Sequence, residues 1–289
     1  MRFIGGQPEI LVTFFGVRGS TPCHGDDTKR YGGNTSCVGL EVPGENPLVF
    51  DLGTGLRYCG ARVPTTGPFG GTCLLTHLHW DHIQGLPFFV PTLREGAHFE
   101  IYGPVQEDGR SVREVFESII KPPMFPVAVG DLPGEFVYHD VGDCDFRVGG
   151  MDVKSRLIPH VGNTLGYRVS YGGASVSYLS DHQMPTDGTM AISAGARELC
   201  EGTDVLIHDA QYTPSEFAER STWGHCTIEY AVWVAIECRV RTLVLFHHDP
   251  MRSDDHLDRL LDEARRRAEP HGIDVLAAHE GQQLSVPLP

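Results

Sequence analysis

Positive charge is scarce in this chain. Its 289 residues carry 23 Lys and Arg against 38 Asp and Glu, a formal net charge of −15. A surface of that sign repels phosphate backbones, and the densest basic run, Arg265-Arg266-Arg267, stands alone near the end of a helical pattern. Long nucleic acid is therefore not an expected partner. No stretch reaches the roughly 18–20 consecutive apolar residues of a membrane span, which removes the membrane as a partner. Met1–Gly6 is too short and too broken by glycine to serve as a secretory apolar region. The eight cysteines, at 23, 37, 59, 73, 144, 200, 226 and 238, include no Cys-x-x-Cys pair. Without a leader, they read as reduced and mostly buried thiols, and the expected location is the cytoplasm. Repeats and low-complexity tracts are also missing. No composition break divides the chain, so a single domain over residues 1–289 is expected, open to homodimerisation.

What is there is an ordinary globular balance, 40% hydrophobic and 21% charged, and an excess of histidine, 15 in all. Short apolar, β-branched runs closed by Gly-rich turns predict strands at Ile10–Phe15, Cys37–Val42, Leu48–Asp51, Thr72–Thr76 and Phe99–Tyr102. More follow at Asp152–Ile158, Gly166–Tyr171, Ser175–Leu179, Val205–His208, Thr242–Phe246 and Asp274–Ala277. Helices interleave. Thr227 caps one with Ile228, Ala231, Val232, Ala235 and Cys238 on one face. Ser253 caps another, whose acidic start, basic end and stripe of Leu257, Leu260, Leu261, Ala264 and Ala268 all agree. Further helices are expected from near His82, over Arg110–Ile120 and near Ala191–Cys200. The mixture predicts a layered α/β architecture.

The histidines are not spread evenly. Thr76-His77-Leu78-His79-Trp80-Asp81-His82 follows an apolar strand, so His77 and His79, two residues apart, leave an extended segment on the same face. Asp81 and His82 fall in the turn beyond and can point back. Four imidazole and carboxylate donors within six residues suit first-row divalent metals. His160, Asp181 and His247 also stand just past apolar runs. Ligands from one sheet edge meet in one crevice, and this set suffices for two metals with positions left for water.

The His77-x-His79-x-Asp81-His82 run, with His160, Asp181 and His247, resembles the metallo-β-lactamase-fold hydrolases. Within them it is similar to the phosphodiesterase branch, which includes cyclic-nucleotide phosphodiesterases and tRNA 3′-end processing endonucleases. The likeness extends to Gly16–Pro22, Tyr31–Ser36, Asp51-Leu52-Gly53-Thr54-Gly55 and Gly224-His225-Cys226-Thr227. It implies an αββα sandwich of two mixed sheets flanked by helices. It also implies two divalent ions, zinc first with manganese or iron(II) as alternatives. His77, His79 and His160 would hold one, Asp81, His82 and His247 the other, and Asp181 would bridge them. Asp209 and His225 match the branch's acid–histidine pair near the leaving group, with two departures: Asp stands where the tRNA enzymes have Glu, and Cys226 replaces a usual Ser.

The implied activity is cleavage of a small phosphodiester, a 3′,5′-cyclic nucleotide foremost, by a hydroxide activated between the metals and oriented by Asp81. Only 26 residues separate Asp181 from His208, too few for the tRNA-gripping arm of many relatives in that branch. Hydrolysis of a lactone, thioester or β-lactam is the enzymatic alternative. A di-iron redox or sensor protein is the other, against which His79 stands where a glutamate is usual. Asp51 reads equally as a carboxylate supporting a ligand histidine and as a tight turn. Arg18, His24, Asn34 and Trp80 are weaker candidates for the mouth, and His182 and His248 adjoin ligands with no assigned direction.

Overall fold

The computed structural model describes residues 8–289, so the Met1–Gly6 segment discussed above lies outside the described residues. Two seven-stranded sheets form its centre. The first contains β1 (Glu9–Gly16), β2 (Cys37–Glu41), β3 (Leu48–Phe50), β4 (Gly70–Leu74), β5 (His98–Pro104), β6 (Glu135–Val141) and β14 (Gln283–Pro287), in the order β14-β1-β2-β3-β4-β5-β6. The second contains β7 (Cys144–Val148), β8 (Met151–Leu157), β9 (Leu165–Tyr171), β10 (Ala174–Leu179), β11 (Val205–Asp209), β12 (Thr242–Phe246) and β13 (Asp274–Ala277), in the order β13-β12-β11-β10-β9-β8-β7. Both are mixed: β3 to β6 and β10 to β13 run parallel, and the remaining neighbours antiparallel.

The strands are apolar because most are covered on both faces. Between the sheets, Phe14, Phe50, Tyr178 and Phe246 make one aromatic cluster, with the Phe50 and Tyr178 rings stacked at 4.7 Å. Outside the first sheet lie α1 (Leu56–Arg62) and α3 (Val112–Ile119); outside the second lie α4 (Ala194–Cys200), α6 (Ile228–Glu237) and α7 (Asp254–Ala268). The α7 stripe Leu257, Leu260, Leu261, Ala264 and Ala268 is buried as its spacing predicts, and each leucine contributes roughly 1.5–3 kcal/mol by leaving water. Ser253 and Thr227 cap α7 and α6 by accepting from the backbone N–H groups of His256 and Tyr230.

Several expected bounds shift. Cys238 lies beyond the end of α6 as its C-cap. The helix expected near His82 is a single turn, α2 (Trp80–Ile83), because Gly85, Pro87 and Pro91 convert the chain to two 3₁₀ turns at Leu86–Phe88 and Val90–Leu93. The segment after Asp181 carries only α4, which starts at Ala194 on its Ser193 cap. β6, β7, β14, α1 and α5 (Pro214–Arg220) are additional to the elements expected. All eight cysteines are free, with six buried and Cys23 and Cys144 half-buried. Among the described residues no helix is long and apolar enough to cross a membrane.

Candidate active site

The chemistry-bearing residues follow the C-terminal ends of strands along one edge of the sandwich. His77, His79, Asp81 and His82 come after β4, His160 after β8, Asp181 after β10 and His247 after β12, while Asp209 ends β11 and Asp51 follows β3. Open α/β sheets place sites at such edges because side chains from several strands converge there. The backbone is forced to aim them: Ser20, Asp51 and His247 hold φ of 58°, 59° and 56°, a left-handed conformation costly for any residue with a Cβ. Gly19 packs so closely that a Cβ would sit 2.4 Å from the His247 ring.

The carboxylate of Asp181 faces two ways. Its Oδ1 lies 3.1 Å from Nε2 of His82 and 3.4 Å from Nε2 of His247, and Oδ2 of Asp81 lies 3.2 and 3.3 Å from the same two nitrogens. Its Oδ2 lies 3.9 Å from Nε2 of His77 and 3.8 Å from Nε2 of His160, and that nitrogen is 3.2 Å from Nδ1 of His79. Two donor clusters therefore share one carboxylate.

Tautomers are set from behind. Nδ1–H of His82 donates to Asp51 at 2.8 Å, that of His160 to the Gly224 carbonyl at 2.6 Å, that of His247 to Oε1 of Gln211 at 2.8 Å, and that of His77 to Thr76 Oγ1 at 3.0 Å. Each Nε2 is left with its lone pair turned inward, the arrangement metal-binding histidines adopt. Nε2 of His77, Nε2 of His82 and Oδ1 of Asp181 are buried without a hydrogen-bond partner. Burial disfavours the charged carboxylate, yet His247, His82 and His77 hold Asp181 well below the usual range, so it is ionised. Burial likewise opposes charge on His160, lowering its pKa to about 4. Orphaned donors around ionised, buried carboxylates without Lys or Arg partners fit divalent cations.

Beside this cluster, Nδ1–H of His225 donates to Asp209 Oδ2 at 2.8 Å. Burial pushes the imidazole's pKa down, but Asp209, with Asp181 and Asp81, raises it overall. A cavity of about 290 Å³ opens over the cluster, lined by Ser20, His79, Asp81, His160, Asp181, Trp223 and His225. The larger groove of about 710 Å³ between α7 and β13 contains no such cluster.

The structure thus brings together His77, His79, Asp81, His82, His160, Asp181, His247, Asp209 and His225. Asp51 is both turn and support: at positive φ it also accepts from Thr76 and from the Tyr178 hydroxyl. The weaker candidates separate from the site. Arg18 is fully buried and bonds the carbonyls of Gly32, Asp249 and Arg252; Asn34 bonds Glu280; His24 is exposed and does not line the cavity; His248 faces the Ala278 carbonyl. His182 meets His208 behind the site at 2.8 Å. Trp80 is exposed at its edge. Gln211, Gly224, Trp223 and the Ser20 amide, which donates to Asp81 at 2.8 Å, join the site without having been assigned a role, although Ser20 and Gly224 stand in segments that carry the family likeness. For Gln211 the one hint was its nearness to Asp209.

The sequence profile described as "Beta-lactamase superfamily domain" matches residues 63–248. The chain belongs to that superfamily. Among its relatives, ribonuclease Z of Natronomonas pharaonis is 25% identical, with 97% of this chain and 99% of that protein covered. The metallo-β-lactamase-fold protein YhfI from Bacillus subtilis superposes with a TM-score of 0.72 at 19% identity, covering 96% of this chain and 100% of its own. Unliganded yeast PDE1 gives 0.71 at 13% identity, covering 97% and 100%. The two sheets with helices outside each are the expected αββα sandwich, and the superfamily member described here is a hydrolase of the metallo-β-lactamase fold.

Proposed function

We propose that this hydrolase cleaves a small phosphodiester, with a 3′,5′-cyclic nucleotide as first candidate, using two divalent cations, zinc before manganese or iron(II). The observation that carries the reading is the Asp209–His225 pair beside a complete two-cation donor set. His77, His79 and His160 would hold one cation and Asp81, His82 and His247 the other, with one oxygen of Asp181 for each. Such cations supply Lewis acidity and a water of pKa near ~7. The chain's own groups do the rest. The Ser20 amide fixes Oδ2 of Asp81 and leaves Oδ1 to orient the attacking water. His225, kept protonated by Asp209, gives its Nε2 proton to the departing oxygen.

Size is argued from three features. The cavity is small, the chain is acidic, and the segment after Asp181 lies flat on the second sheet, with Glu198 of α4 bound to Arg156 at 2.6 Å. The alignment with the Natronomonas pharaonis protein runs over 328 positions against the 289 residues here, so at least 39 belong to that relative alone. Its name, ribonuclease Z, favours a second reading, an RNA endonuclease, and weighs against excluding long nucleic acid on charge alone.

Zinc-loaded protein should hydrolyse 3′,5′-cyclic AMP and bis-p-nitrophenyl phosphate and leave precursor tRNA intact. Cleavage of the tRNA with inert cyclic AMP would transfer the case to the second reading. Inertness toward all three would sink phosphodiester hydrolysis altogether.

A further inference from the structure

Trp223 is the one large apolar side chain on the cavity wall, and it is 61% exposed. A single exposed indole is ordinary on a protein surface, and what sets Trp223 apart is its place on the wall of the cavity over the clustered donors. It is also held. The Arg220 guanidinium sits 5.4 Å from the Trp223 ring centroid and is itself tied to Asp249 at 3.2 Å, while the Trp223 amide donates to the Arg220 carbonyl. One face of the ring is thus occupied by a cation, and the other is available to a second flat group. The next two residues bind the chain to the chemistry: Gly224 accepts from His160 and His225 bears the Asp209 hydrogen bond. Trp223 is therefore placed in register with the position where phosphorus would react.

The cavity itself, about 290 Å³, stands at the lower limit for a small-ligand pocket. A nucleotide whose phosphate lay beside His225 would have its base within reach of Trp223, two residues away on the same wall. We infer that Trp223 is a stacking platform for the nucleobase, which makes the substrate class a nucleotide phosphodiester and makes Trp223 a specificity-determining residue. This inference rests on the phosphodiesterase reading above. Stacking on an aromatic face is tolerant of base identity, so either purine or pyrimidine would be accepted.

The test uses zinc-loaded full-length protein and two product-like probes, 5′-AMP and inorganic phosphate, as inhibitors of bis-p-nitrophenyl phosphate hydrolysis and as ligands followed by tryptophan fluorescence. In Trp223→Ala the inhibition constant of AMP should rise about tenfold or more while that of phosphate stays within twofold, and the quenching that AMP causes in the parent should disappear. Trp223→Phe should recover most of the AMP affinity. Equal AMP affinity in parent and Trp223→Ala, or equal loss for AMP and phosphate, overturns the platform. If the parent hydrolyses no phosphodiester, the underlying reading fails instead, and the fluorescence titration still decides whether AMP meets Trp223.

Discussion

At the scale of single residues, His225 separates chemistry from metal binding. Its Nδ1 is committed to Asp209 at 2.8 Å and stands 3.8 Å from Oδ2 of Asp181, so it borders the donor clusters with that nitrogen already engaged. His225→Ala should therefore retain a full metal complement while kcat falls about 10²- to 10⁴-fold, the range for loss of a positioned general acid. Metal content by elemental analysis beside steady-state rates checks both halves. The pH profile gives the sign. A general acid must be protonated, so kcat declines as pH rises through its pKa, and Asp209 raises that pKa against the effect of burial. Asp209→Asn removes the raising charge, so the alkaline decline should move to lower pH, and in His225→Ala the limb should vanish. An unmoved limb in Asp209→Asn would assign it to another group. The seven donors were legible in the sequence because they stand at or just past the ends of apolar runs, whereas Asp209 and His225 were singled out as a pair by the family resemblance. Gln211 was not: its bond to His247 spans 36 residues, and only its place two residues after Asp209 hints at it.

At the scale of elements, the strands that end at the site are apolar, covered on both faces, and readable. The edge strands β6 and β7, one in each sheet, are half-exposed along most of their length, which blurs the alternation that marks a strand. β14 is largely exposed and ends in proline, and α1 begins from Gly53–Gly55 without a capping side chain. α5 is different. Thr213, Pro214 and Glu216 form a capping box with proline in the first turn, a local signal as explicit as those of α6 and α7. The turn after α5 is where an element constrains the site most tightly. Gly224 has φ of 94°, and a Cβ there would lie 2.4 Å from Nδ1 and Cε1 of His160. Gly224→Ala should displace the His160 ring and break its 2.6 Å bond to the Gly224 carbonyl. The expected cost is about 10- to 100-fold in metal affinity, as for other changes behind a ligand, with about 1–3 kcal/mol in stability from backbone strain. A competitive zinc titration and urea unfolding report the two effects. Affinity equal to the parent's would show that the contact is not what aims His160.

At the scale of the whole molecule, the net charge of −15 concentrates a specific problem at one edge of the sandwich. Asp51, Asp81, Asp181 and Asp209 are all buried there, and their charge partners are histidines, with no Lys or Arg among them. In water-poor surroundings such carboxylates repel one another unless cations stand between them. The hydrophobic layer outside the second sheet does not depend on this, since the α7 stripe is formed by side chains remote from the edge, whereas the aromatic cluster between the sheets reaches the edge only through the Tyr178 hydroxyl on Asp51 and the chain neighbours Phe50 and Phe246. Chelation should consequently leave far-UV circular dichroism nearly unchanged while lowering Tm. Each cation held at 100 times its Kd stabilises by about 2.7 kcal/mol, which corresponds to roughly 5–10 °C per cation in a chain of this length. Asp181→Asn gives the sign a second test. It removes the shared ligand and also one of the mutually repelling charges, so it should melt below the metal-loaded parent yet above the chelated parent. A variant that melts below both would mean that Asp181 stabilises the fold through its hydrogen bonds rather than through the cations it faces.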